Sequence, residues 1–394
     1  MLMNRKGVCY DVGRSMMGQD WRPKFDPNVV HRELEIIKED LHCNTVRICG
    51  LGVDRLMTAA EDALEQGLEV WLSPEKWDSG QDETLEYLRK AAERAEVLRS
   101  RWPEKVVLSV GSELTLFMGG IVQGRNFFER MNTPSFWEDV KSGKHNPRLN
   151  TFLAKASEAA RKEFHGQIAY FSVPLETVDW SPFDFVGVDM YRDARTRDTY
   201  GAMVGKYLAY GKPVTIGEFG CCTYRGAELL GGSGFLVTFG MMADYFGVRE
   251  KLPWMVAEMV KVIPKAGDHY IRDEGLQARE VADQLAVLDS TGVDGTFVFT
   301  FVSPTSPHLE DPRFDSDMGS FSLVKSYPEK DTIEEMSKQS AGQGKEFLGV
   351  DVDPSFLIKF ANTDEIGKHG NTYPDMTWEP KESFGSVAEY YVNH

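Results

Sequence analysis

Short apolar runs rich in β-branched and aromatic residues alternate with longer segments whose apolar positions recur three or four residues apart. The alternation runs from residue 6 to about residue 303. The strand-like runs fall at 7–12 (GVCYDV), 45–49 (TVRIC), 69–73 (EVWLS), 106–110 (VVLSV), 168–173 (IAYFSV), 185–190 (FVGVDM), 214–217 (VTIG) and 296–301 (TFVFTF). Helical patterns fall at 29–41, 52–66, 83–101, 150–164, 199–210 and 276–289. In the third of these, Leu85, Leu88, Ala92, Ala95 and Leu98 form an apolar stripe, while Glu86, Arg89, Lys90 and Glu93 turn to water. Runs that are apolar on both faces belong in a parallel sheet covered by helices. Eight of them interleaved with helices predict an α/β fold, a (β/α)8 TIM barrel, with an open doubly wound sheet as the alternative. No GxGxxG or GxxxxGK[ST] follows the first strand, which weighs against a nucleotide-binding sheet.

Two regions break the rhythm. Residues 224–275 form a long insertion after strand 7, with Gly231, Gly232 and Gly234 in a turn and an apolar helical stretch around 254–262. An insertion there rises over the face of a barrel that carries chemistry, where it would act as a lid or a substrate wall. After strand 8 the chain is acidic and broken by Pro and Gly, with a final barrel helix expected near 331–339 and a short helix near 383–391. The expected division is a barrel domain over 1–345, including the insertion, and an irregular C-terminal extension over 346–394 packed on the barrel.

Composition narrows the partners. Of 394 residues, 44 are Lys or Arg against 61 Asp or Glu, a net charge of −17. Such a field repels phosphate backbones and anionic lipid, so nucleic acid and membrane surfaces are excluded as partners. No apolar run approaches the roughly 20 residues that span a bilayer, and the first residues contain no uninterrupted apolar segment behind their basic residues. Five cysteines (Cys9, Cys43, Cys49, Cys221, Cys222) lack CxxC spacing, and Cys221-Cys222 reads as a pair of small buried hydrophobes. A reduced, cytoplasmic setting is expected. The eight histidines show no HExxH or HxH pair, so a zinc site built from His and Cys is unsupported.

In a barrel, reactive groups sit at the carboxyl ends of strands. Strand 4 ends VVLSVGSE at Glu113, and strand 7 ends PVTIGEFG at Glu218. Both strands are otherwise uncharged, and burying a carboxylate without reason is costly. Two carboxylates converging at one barrel mouth are the geometry of glycoside hydrolysis, with one group as acid/base and the other as nucleophile. An ion pair closing the mouth is the structural alternative.

The opening KGVCYDVG, then FDPNVVHRELEIIKEDLHCNTVRICG, then VGSEL and GKPVTIGEFG together resemble the clan A glycoside hydrolases over residues 6 to about 303. The resemblance implies a glycosidase that needs no cofactor, with Glu218 as nucleophile and Glu113 as acid/base. It also implies that Arg47 holds the nucleophile ionised and that Tyr191 hydrogen-bonds it. Three departures stand out. Ser112 precedes the acid/base where the clan places Asn, Asp189-Met190-Tyr191 replaces its His-x-Tyr, and Phe299 and Phe301 stand where a tryptophan platform is usual. Aromatic residues Trp21, Trp77 and Tyr224 follow strand ends and suit the apolar faces of sugar rings. The ligand expected is a small soluble glycoside, oligosaccharide or glycosylated metabolite. Asp11, Glu113, Asp189 and Glu218, with Asp193 beside them, also form an acidic ring. That ring carries the competing function, a metal-dependent sugar isomerase or lyase with oxygen ligands. A barrel that binds carbohydrate without hydrolysing it is the third class.

Overall fold

A computed structural model describes residues 3–16, 18–341, 346–347, 350–351 and 363–394. Part of the expected C-terminal extension, including most of 342–362, lies outside the described residues. Eight parallel strands close into a barrel in sequence order: β1 (Arg5–Asp11), β2 (Thr45–Gly50), β3 (Glu69–Pro74), β4 (Val106–Ser112), β5 (Gln167–Ser172), β6 (Val186–Asp189), β7 (Val214–Phe219) and β8 (Gly295–Val298). β8 pairs back onto β1 from Arg5↔Gly295 to Val8↔Val298. All eight expected strands are present, and the open sheet is excluded. Every residue of β2, β4 and β7 is buried, because one face fills the barrel interior and the other meets helices.

The helices start where the sequence supplies caps. In α1 (Pro27–Glu39), Asp26 accepts from the amide of Asn28 and Pro27 occupies the first turn, where a missing N–H costs nothing. The apolar stripe of α3 (Gln81–Arg101) buries Leu88, Ala92, Ala95 and Leu98 as its spacing predicts. α2 (Val53–Glu65) and α4 (His145–Glu163) complete that side of the ring. The amino-terminal half of the barrel interior is filled by aromatic rings, with Trp71 4.6 Å from Phe185 and 5.4 Å from Phe297 between centroids. Filling that end with hydrocarbon leaves the opposite end for polar groups.

The last barrel position departs from expectation. The helix over Lys330–Ala341 packs outside the ring: Gln339 accepts from the amide of Asp20, on the small ribbon that follows β1. The seat between β8 and β1 is taken instead by the final helix, Glu382–Asn393. It buries Phe384, Val387 and Tyr391, and the Tyr391 hydroxyl donates to the Gly7 carbonyl at 2.8 Å. Lys6 Nζ in turn donates to the Tyr391 carbonyl at 2.8 Å. The insertion contains helices over Val237–Phe246 and Trp254–Lys261 and a two-stranded ribbon, Lys265–Ala266 with His269–Tyr270. Arg272 ties its end to Asp315 and Asp317, each at 2.9 Å, and Lys381 reaches the same Asp317 at 2.9 Å. Among the described residues no helix is long and apolar enough to cross a membrane.

Candidate active site

Glu113 and Glu218 both follow from strands of the same barrel end, and local irregularities aim them. The β4–β5 register shifts between Ser109 and Ser112, and the β6–β7 register shifts between Val188 and Asp189, which sets Asp189 opposite Glu218. Such shifts re-aim side chains beside active sites. Glu113 holds a left-handed backbone, φ 47°, a conformation uncommon for a residue with a Cβ. Gly217, just before Glu218, admits no larger residue. A Cβ there would lie 2.2 Å from the Phe171 ring and 2.5 Å from an Asp189 oxygen.

The two glutamates sit in opposite settings. Glu218 is 8% exposed, and three donors reach it: Arg14 Nη1 at 3.3 Å and Arg47 Nη1 at 3.5 Å on one oxygen, Tyr191 Oη at 3.0 Å on the other. Glu113 is partly buried, and its carboxyl makes no hydrogen bond or ion pair with any described residue. Burial, with the negative charges of Asp189, Glu218 and Glu176 added to it, pushes the Glu113 carboxyl well above its ordinary range, against the smaller opposing pull of Arg47.

Arg47 is fully buried and does more than face Glu218. It donates to Ser73 Oγ at 3.0 Å, to Asp189 at 3.1 Å and to the Gly217 carbonyl at 3.0 Å, and lies 3.8 Å from the Phe171 ring centroid. Ser112, expected at the sugar, gives its hydroxyl to Asp189 at 2.5 Å. Burial pushes Asp189 up to about 8, with Arg47 opposing the shift and Glu218 adding to it. Asp11 is committed as well. It accepts from the amides of Gly13 at 2.7 Å and Arg14 at 2.9 Å, and from Arg14 Nε at 2.5 Å, and so positions Arg14.

Two residues expected at the ligand are fully buried. Tyr224 is fully buried and its hydroxyl donates to the Gly234 carbonyl at 2.8 Å, which anchors the insertion. Phe301 is fully buried and packs edge-on to Trp378 at 5.4 Å, on the outer side of the barrel end. Its neighbour Phe299 lies beside the partners of Glu218, 6.3 Å from Tyr191 and 5.1 Å from the Arg14 guanidinium. Asp193 is drawn into a turn with Arg195 and Thr196 and stays out of the cluster. Trp77 and Trp21 do meet at the mouth, 5.2 Å apart, with Trp77 stacked on Phe117 at 4.3 Å. The stack continues through Phe127 and Phe128 to Phe239 of the insertion, each ring pair about 5 Å apart. The insertion therefore joins the aromatic wall of the mouth.

Two charged residues of the site were not anticipated from the sequence. Arg14 is 3% exposed and joins Asp11, Glu75 and Glu218. Glu75, just past β3, lies between Arg14 at 3.3 Å and Arg47 at 3.5 Å. It obeys the same strand-end rule that singles out Glu113 and Glu218. Arg14 carries only its spacing from Asp11 as a signal.

No protein-family model matches the chain, and no curated protein does. Solved structures match at low identity. A GH113 beta-1,4-mannanase aligns at 13% identity and a TM-score of 0.50, covering 82% of this chain and 95% of its own. A GH113 beta-mannanase from Alicyclobacillus acidocaldarius aligns at 15% identity and 0.47, covering 86% and 98%, and a beta-glycosidase at 11% and 0.46, covering 99% and 96%. The first of these, together with the closed eight-stranded parallel barrel, shows the fold to be the (β/α)8 barrel that the sequence predicts.

Proposed function

We propose that the protein is a retaining glycoside hydrolase acting on a small soluble glycoside or oligosaccharide, with Glu218 as nucleophile and Glu113 as general acid/base. The observation that carries this is the contrast between the two carboxyls. One is held by two guanidinium groups and a phenol, the environment of a nucleophilic carboxylate. The other is unpaired and pushed upward, so that it keeps a proton for the leaving-group oxygen. After glycosyl transfer to Glu218, Glu113 as carboxylate takes a proton from water and the ester is cleaved. Trp21, Trp77 and Phe299 offer ring faces to sugar. Residence in the cytoplasm suits the five buried cysteines, none of which is disulfide-bonded. NMR of the first product formed from an aryl glycoside tests the stereochemistry: retention is expected, and inversion removes the nucleophile assignment for Glu218.

The assignment of Glu113 has its own test in pH. A proton donor whose pKa is raised stays active up to that pKa and is lost as pH climbs through it. Glu176 contributes to the rise from a site of its own, where it accepts from the Thr115 amide at 2.9 Å and from Tyr170 Oη at 2.8 Å. Glu176→Gln keeps the size and removes the charge. The alkaline limb of kcat/KM is expected to move to lower pH, measured on a substrate with a poor leaving group. A limb that does not move counts against Glu113 as the acid.

The metal enzyme is the second class to separate. The oxygens of Asp11 and Asp189 are engaged by Arg14, Arg47, Ser112 and backbone amides, so two guanidinium groups stand where a cation would sit. Among the described residues no group of three or more His, Cys, Asp or Glu is arranged to hold a metal ion. Exhaustive chelation is expected to leave turnover and melting temperature unchanged. Loss of activity that returns with Mg²⁺ or Mn²⁺ would establish the isomerase or lyase instead.

A further inference from the structure

The side of the barrel mouth that follows Glu113 is built of phenylalanine. Phe117 lies one helical turn past Glu113, and its amide donates to the Glu113 carbonyl at 3.1 Å. From there the stacked rings run through Phe127 and Phe128 to Phe239 of the insertion. The insertion also reaches the other glutamate: a Cβ on Gly232 would lie 3.1 Å from the ring of Tyr191, whose hydroxyl donates to Glu218. Tyr191 leads back through Phe299 to the Arg14 guanidinium, which lies 4.6 Å from the Trp21 ring, and so to Trp77, where the stack begins. The contacts close a circuit. It runs past the turn that carries Glu113 and past two partners of Glu218.

The stretch beyond Glu113 suits hydrocarbon better than a second sugar. Phe117, Phe127, Phe128, Phe235 and Phe239 are all half-buried, so large apolar rings remain partly in water. None of them carries a polar atom. The charged side chains beside them are engaged: Arg130 donates to Asp78 at 3.0 Å and to the Leu116 carbonyl at 2.6 Å, and Arg125 donates to Glu129 at 2.9 Å. A sugar unit laid on this wall would take hydroxyls out of water without new partners, which is costly. An alkyl or aryl group gains from the same contact. Position decides which end of the substrate meets the wall. The general acid protonates the glycosidic oxygen, so the leaving group lies on its side of the bond, and the wall starts one turn beyond Glu113.

We propose that the wall from Phe117 to Phe239 is the aglycone site and takes an apolar aglycone, so that the substrate is the glycoside of a hydrophobic alcohol or phenol and not an oligosaccharide. This rests on the glycosidase assignment above, with Glu113 as the acid. The test uses n-alkyl glycosides, ethyl through octyl, of the hexose turned over fastest among 4-nitrophenyl hexosides of both anomers, alongside the disaccharide of that hexose. Alkyl alcohols differ little in basicity, so the demand on Glu113 stays level along the series and only apolar contact changes. A fully buried methylene is worth about fourfold, and one covered from a single side about twofold. In the wild type kcat/KM is therefore expected to rise roughly 60-fold from ethyl to octyl and to exceed that on the disaccharide. In Phe128→Ser and Phe239→Ser the rise per methylene is expected to shrink, whatever happens to the ethyl glycoside, while Phe239→Leu keeps most of it. A purely structural role would lower the whole series alike. A flat series in the wild type, or a disaccharide preferred over the octyl glycoside, overturns the inference and leaves the hydrolase intact. So does an unchanged rise per methylene in both folded serine variants. A folded wild type that turns over no 4-nitrophenyl hexoside removes the hydrolase assignment itself, and this inference with it.

Discussion

Replacing Glu218 with Gln is expected to lower kcat on an activated aryl glycoside by at least about 10⁴-fold, because an amide cannot form the glycosyl-enzyme ester. The fold should survive. Glu218 accepts from Arg14, Arg47 and Tyr191, yet each guanidinium keeps other carboxylates: Arg14 keeps Asp11 and Glu75, and Arg47 keeps Asp189 and Glu75. Neither cation is left buried without a counter-charge, which is the situation that costs most. Circular dichroism and melting of the variant close to wild type would confirm that the loss is chemical. Residual turnover within tenfold of wild type, on folded protein, would show that Glu218 is not the nucleophile.

Glu113→Ala should fail differently. General acid catalysis contributes about 10²–10⁴-fold, and a leaving group needs it only in proportion to its basicity. Turnover of alkyl glycosides and oligosaccharides is therefore expected to fall by that range, while a dinitrophenyl glycoside forms the intermediate nearly as fast as before and then stalls. Azide needs no general base, so it should restore turnover of the good substrate and yield a glycosyl azide of retained configuration. The Glu113 carboxyl has no hydrogen-bond partner among the described residues, so its removal breaks no contact and a direct structural penalty is small. Equal losses across leaving groups with no azide rescue would reassign Glu113 to structure.

The barrel was legible along the chain because its signal is local. A strand buried on both faces must be apolar throughout, a covering helix must carry a stripe, and eight repeats of that pair leave few architectures open. The two glutamates were legible for a related reason: a lone carboxylate ending an uncharged buried run has to be explained. Glu75 met the same test, but its Pro-Glu-Lys surroundings resemble an ordinary solvated loop, so only the approach of Arg14 and Arg47 distinguishes it.

What the sequence could not hold is which face of a residue meets which neighbour from a distant strand. Periodicity tells that the 331–339 segment is an amphipathic helix, and equally that 383–391 is one. It does not tell which of them lies on β1 and β8, and the seat goes to the final helix, whose Tyr391 reaches the Gly7 carbonyl. Phe299 and Phe301 are alike in sequence. Because β8 ends at Val298, one ring lies against Tyr191 beside Glu218 and the other packs against Trp378. Arg14 is one arginine among many until the chain turns over Asp11 and sets its guanidinium between Trp21, Trp77 and Glu218. Burial patterns are written in single residues and their near neighbours. Partnerships among charges are properties of the closed barrel, since they depend on distances between strands that only closure brings together.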